Sequence, residues 1–134
     1  MKYLIFIFML LFCEVAQTGE FRHFSDWTNK ERAEFLVYAG LTYTDYRQTT
    51  WAIKQRKSDG NFQFVELNPV LGKRPSNESV GALLAVGAIW YYYLIGKDTE
   101  PFDTNDKARV IFMSVRIAAV AHNHMIGISV SKSW

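Results

Sequence analysis

The chain has 134 residues, enough for one domain with a modest core. Its formal charge of +2, with 21 % charged residues, lacks the concentrated basic face that nucleic acid requires. A lone cysteine, Cys13, excludes an internal disulfide and any multi-cysteine zinc site, and a mean hydropathy of −0.05 argues against a chain lying mostly in lipid.

At the N-terminus, Lys2 precedes an apolar run from Tyr3 to Cys13. As a helix this run is about 16 Å long, half a bilayer core, which is the pattern of a secretory signal. The stretch Leu10-Leu11-Phe12-Cys13 is close to a lipoprotein box, but Phe12 stands where a small residue belongs. Residues 1–20 are therefore expected to be a signal peptide or an uncleaved anchor, and residues 21–134 a single helical domain.

A first helix is expected from Thr28, which forms a capping box with Glu31. Its apolar pattern runs through Phe35, Leu36, Ala39, Tyr43, Tyr46, Thr50 and Ile53, with Lys54, Arg56 and Lys57 suiting its C-terminal end. Asp59-Gly60 signals a turn. The following segment, Glu66 to Ser79, combines Asn68-Pro69, Gly72 and Pro75 with Leu67, Val70 and Leu71. That turn chemistry predicts an ordered connection rather than a slack linker.

A second helix follows Pro75, capped by Ser76 or Asn77, and has no charge from Val80 to Ile95. Gly81, Ala85 and Ala88 fall on one face, a pattern that permits close helix contact, and Gly96 is expected to stop the helix. A third helix is expected after Thr104 or Asn105, apolar from Val110 to Val130 except for Arg116, His122, Asn123 and His124, with its regular part ending at Gly127.

The fold expected is all-α: a signal-like N-terminal helix and a three-helix bundle with an ordered first connection. Two environments fit it, a membrane with three spans or water with the second helix buried. The first connection carries Lys54, Arg56, Lys57, Lys73 and Arg74. The second carries Lys97, Lys107 and Arg109 against four acids, so the positive-inside rule puts the first connection and the C-terminus in the cytoplasm.

Asp45, Gln48 and Thr49 share one helix face, with Thr42 a turn earlier, and Arg116 and Asn123 share another at i, i+7. An acid and an arginine on neighbouring helices are natural partners, because a charge inside a bundle is costly unless paired. These residues are expected to form a structural polar network. Glu66, Asn68, Arg74, His122, Asn123 and His124 come to the same end of the bundle in this topology and form the candidate ligand site. His122 and His124 are about 200° apart on a helix and do not chelate one ion, so no metal site is expected. Ser114 lacks a nucleophile elbow, and no phosphate loop or dinucleotide fingerprint occurs. Neither a cofactor nor a catalytic residue is assigned.

Asp-x-x-Gln-Thr (Asp45, Gln48, Thr49), Glu-x-Asn-Pro-x-Leu-Gly-x-x-Pro-Ser (Glu66, Asn68, Pro69, Leu71, Gly72, Pro75, Ser76) and the late Asn123, Gly127 and Ile128 together resemble a group of small phage- and prophage-encoded proteins. These are described as membrane proteins of unassigned activity. The resemblance covers residues 35 to 128. It implies a membrane and phage context and supplies no catalytic residue; the N-terminal extension and the polar His122-Asn123-His124 run depart from it. The expected function is binding by a helical protein of the bacterial inner membrane, acting on the host envelope through an envelope protein partner. An exported soluble bundle, periplasmic or secreted, that binds or inhibits an envelope partner stays open, as does a membrane-interface enzyme of unknown reaction.

Overall fold

The computed structural model describes residues 21–55, 57–61, 63–64, 71, 75–97 and 104–128. The signal or anchor expectation for residues 1–20 lies outside them, as do Glu66, Asn68 and Arg74. The described elements are a 3-10 turn, Phe24–Asp26, and three helices: α1, Asn29–Ala52; α2, Asn77–Gly96; and α3, Thr104–Met125.

Local chemistry sets the helix ends. The Thr28 hydroxyl accepts the Glu31 N–H, while the Glu31 carboxylate accepts the Thr28 N–H at 2.6 Å, the reciprocal capping box. Ser76 caps α2 by accepting the Ser79 N–H. Gly127, at φ +91°, ends α3: its N–H bonds to the His124 carbonyl and the Ile128 N–H to the Asn123 carbonyl, the paired bonds of a Schellman turn. Asp59-Gly60 forms the expected turn, with Gly60 at φ +82°.

Each helix packs on the other two. Along α1, Glu34 and Asp45 meet Arg109 and Arg116 of α3 in the same order, so α1 and α3 run parallel. Tyr38 and Tyr46 meet Tyr91 and Gly81 in reverse order, so α2 runs antiparallel to both. At the end where α1 begins and α2 finishes, Trp27, Tyr38, Tyr91 and Ile95 form the buried aromatic-aliphatic core, with Phe35 and Tyr92 against it. Residues 21–27 strap this end. The Arg22 N–H bonds to the Gly96 carbonyl at 2.9 Å, its guanidinium pairs with Glu31, and Trp27 Nε1 donates to the Arg22 carbonyl.

Four expectations are corrected. Leu36 and Tyr43 of the expected apolar stripe point outward, and the buried face of α1 is Tyr38, Thr42, Asp45 and Gln48, at the same helical spacing. Ala85 is exposed, so α2 makes its close approaches with Gly81, against the Tyr46 ring, and Gly87, against Tyr38 and Arg116. Gly96, where the helix was expected to stop, is the last residue of α2. A Cβ there would stand 2.9 Å from the Arg22 carbonyl oxygen, so the strap demands glycine. Arg109 is not a loop cation: it is buried in α3, paired with Glu34 and Asp106. Asn105 likewise lies within α3, and its amide donates to the Lys97 carbonyl at the end of α2.

Burial by itself would raise the Glu31 pKa, but hydrogen bonds from Arg22 and from the N–H and hydroxyl of Thr28 outweigh it and hold the carboxyl at about 2. A depressed carboxyl stabilises the fold above its unfolded value near 4.5, and that stability is lost as pH falls towards 2. Thr28→Ala is expected to cost about 1 kcal/mol. Glu31→Gln is expected to flatten the acid limb of stability between these pH values. Thermal melting against pH checks both.

Candidate functional site

Halfway along the bundle three helices contribute to one polar network. Arg116 Nη1 of α3 donates to Asp45 Oδ2 of α1 at 2.5 Å. The Asn123 amide, two turns further along α3, donates to Asp45 Oδ1 at 3.2 Å and to Gln48 Oε1 at 3.4 Å, and the Thr49 hydroxyl reaches Asp45 Oδ1 at 3.4 Å. Gln48 is fully buried, and its own amide donates to the Ile128 carbonyl at 2.9 Å. The positive φ of Gly127 is what turns that carbonyl back towards α1.

The second helix contributes by omission. Gly87 faces the pair, and a Cβ there would lie 3.5 Å from the Tyr38 hydroxyl and 3.6 Å from Arg116 Nη2. The Tyr38 ring lies under the Arg116 guanidinium, 5.8 Å from its carbon, and stacks on Tyr91 at 3.9 Å and 2°. The Tyr91 hydroxyl donates to Glu34, which also meets Arg109. Polar groups thus run inside the bundle from Glu34 to Asn123. The Tyr38 hydroxyl, the Thr42 hydroxyl and Arg116 Nε are buried there without a protein partner among the described residues.

Beyond this network, where α1 and α3 end and α2 begins, the bundle opens into a cleft of about 440 Å³. That is within the roughly 300–1,000 Å³ range of small-molecule pockets. Asp45, Thr49, Arg116 and Asn123 form its polar part, and Val80, Leu83, Leu84, Val115, Ala119 and Ile126 its apolar walls. Gln63, Phe64 and Leu71 of the first connection close one side, with Phe64 packed on Trp51 at 6.0 Å between ring centroids.

Of the candidate ligand residues, His122 and Asn123 line this cleft, His124 is exposed outside its lining, and Glu66, Asn68 and Arg74 lie outside the described residues. The expected network residues Asp45, Gln48, Thr49 and Arg116 stand together around Asn123. Sequence reasoning missed Tyr38, Gly87, the Glu34–Arg109 pair and the apolar walls. The spacing Tyr38, Thr42, Asp45 was a usable signal for the first of these; no local signal marks the others.

No family model matches the chain, and neither do the curated proteins or the solved structures. What the described residues define is a small three-helix bundle with a buried polar network beside its apolar core and a cleft at one end.

Removing one partner of a buried ion pair leaves the other charge uncompensated. Asp45→Ala alone is expected to cost about 3–5 kcal/mol, whereas Asp45→Leu with Arg116→Met is expected to cost clearly less. Denaturant unfolding of the single and double variants measures the difference.

Proposed function

We propose that this chain is a small membrane-embedded helical protein that acts by binding, with the end cleft as its ligand site. The observation that supports this most is a buried polar network in a bundle whose outer face carries large apolar side chains. Asp45, Gln48, Thr42 and Arg109 are buried, while Leu36, Ile89, Val110 and Val115 are at least 60 % exposed. In hydrocarbon the apolar exterior is at home, and polar groups belong inside, paired.

Charge placement supports the same reading. Residues 35–53 carry only Asp45 and Arg47 as charges, and residues 110–125 only Arg116. These stretches are about 28 and 24 Å long. Asp45 and Arg116 neutralise each other inside the bundle. Trp27, Phe24, Phe35 and Tyr92 gather at one end, and Trp51 and Phe64 with Lys54 and Lys57 at the other, in the manner of the aromatic and basic belts at membrane interfaces. With α1 parallel to α3, the first connection and the chain beyond α3 share a side, the cytoplasmic one by charge bias. The motif resemblance adds a phage context, with the bacterial inner membrane as the place of action and an envelope protein as partner.

One observation favours a second reading. Among the described helices only α2 is by itself long and apolar enough to cross a membrane. In an exported soluble bundle, the same apolar exterior would be the face that grips an envelope partner.

Alkaline carbonate extraction of membranes from expressing cells tests the proposal. The chain is expected to stay in the pellet. Release into the supernatant would sink the membrane reading in favour of the soluble one.

A further inference from the structure

We infer that a single water molecule is held inside the bundle at Gly87, bonded by Arg116 Nε and the hydroxyls of Tyr38 and Thr42. The site is separate from the cleft, whose lining includes neither of those hydroxyl residues nor Gly87. It depends on neither the cleft binding a ligand nor the bundle lying in lipid.

Tyr38 and Thr42 stand one turn apart on the inward face of α1, with Asp45 next along it. Arg116 lies across that face. Its guanidinium carbon is 5.8 Å from the Tyr38 ring centre, and its Nη1 bonds to Asp45 Oδ2. Thr42 falls between these two contacts. A planar guanidinium presents Nε and Nη2 along one edge and Nη1 at the remaining corner. With Nη1 on Asp45, the Nε–Nη2 edge is turned towards α2. A Cβ at Gly87 would stand 3.6 Å from Nη2 and 3.5 Å from the Tyr38 hydroxyl. Gly87, the Tyr38 hydroxyl and that edge of Arg116 therefore border one interior space.

The polar atoms around it need a partner. Tyr38 is fully buried, Thr42 is 8 % exposed, and both hydroxyls and Arg116 Nε are buried without a protein partner among the described residues. Thr44 and Thr50 of the same helix donate back to the Gly40 and Tyr46 carbonyls, the usual outlet for a helical threonine. The Thr42 hydroxyl makes no such bond. A buried N–H or hydroxyl left unbonded is costly. One water satisfies all three atoms: it accepts the Nε–H, and each hydroxyl can donate to it or accept from it. About three bonds is the usual number for a buried water. Glycine at position 87 leaves it room, since a Cβ there meets no other atom of the described residues within 4 Å outside its own helix backbone and chain neighbours.

Thermal unfolding of three variants of the full chain tests this, in phosphatidylcholine nanodiscs if carbonate extraction retains the chain and in buffer if not. In a dry site, the methyl of Gly87→Ala would meet its neighbours at ordinary contact distance and improve helix propensity, raising the melting temperature. In a hydrated site it expels the water and strands three polar atoms, so the melting temperature is expected to fall by about 4 °C or more. Tyr38→Phe and Thr42→Val nearly preserve shape, and each removes one bond to the water. Each is expected to lower the melting temperature by about 2–6 °C. Removing an unbonded buried hydroxyl would leave it unchanged or raise it. In crystals of the full chain, an ordered water within hydrogen-bond reach of at least two of the three atoms is expected in the wild type and not in Gly87→Ala. A fall in Gly87→Ala together with a fall in at least one hydroxyl variant supports the water. An unchanged or raised melting temperature in Gly87→Ala overturns it, and so does the absence of a fall in both hydroxyl variants. A crystal structure in which the three side chains bond directly to one another, with no water among them, overturns it whatever the melting data. If Gly87→Ala does not fold, the hydroxyl variants and the wild-type crystal decide.

Discussion

An acid on one helix and an arginine on another, both turned into the bundle, allow only a few arrangements of the chain. Asp45 and Arg116 must meet, because either one alone would be a buried uncompensated charge. Their meeting sets the register of α1 against α3. Sliding one helix by a single turn would part the two groups by about 5.4 Å. Once the register is set, Asn123 falls opposite Gln48, and the turn at Gly127 brings the Ile128 carbonyl to the Gln48 amide. The remaining helix, α2, adapts to the pair: Gly87 lets it come close to Tyr38 and Arg116 where a side chain would have crowded them.

The two ends of the bundle have different characters, and the pair lies between them. Towards the start of α1, the Tyr38–Tyr91 stack, Trp27 and the Arg22 strap close the structure, and Glu34 with Arg109 supplies a second internal ion pair. Towards the start of α2, the helices are lined by aliphatic side chains that do not meet, which leaves the cleft. The polar network forms part of that cleft, so the groups that hold the helices in register also line it. A change to Asp45 or Asn123 therefore acts both on the register of the helices and on the lining of the cleft.

The outward-facing apolar residues of α1 are the counterpart of its polar inward face. A helix that presents Tyr38, Thr42, Asp45 and Gln48 inward must present Leu36, Val37 and Tyr43 elsewhere, because all are on the same cylinder.

The amino-acid sequence by itself determined the helices, their ends and the membership of each face. Capping by Thr28 with Glu31, by Ser76 and by Gly127 is local chemistry, and Asp45 with Gln48 and Thr49, or Arg116 with Asn123, share a face through helical periodicity alone. The pairing of Asp45 with Arg116 was also expected from sequence, because a buried charge needs a partner, but only the tertiary structure showed that Tyr38 shares that inward face. Periodicity groups residues without orienting them, and the usual assumption of an apolar interior placed Leu36 and Tyr43 on the wrong side. The destination of Arg109, the need for glycine at positions 87 and 96, and the apolar walls of the cleft were also beyond sequence reasoning, because each depends on the distance between segments far apart in the chain.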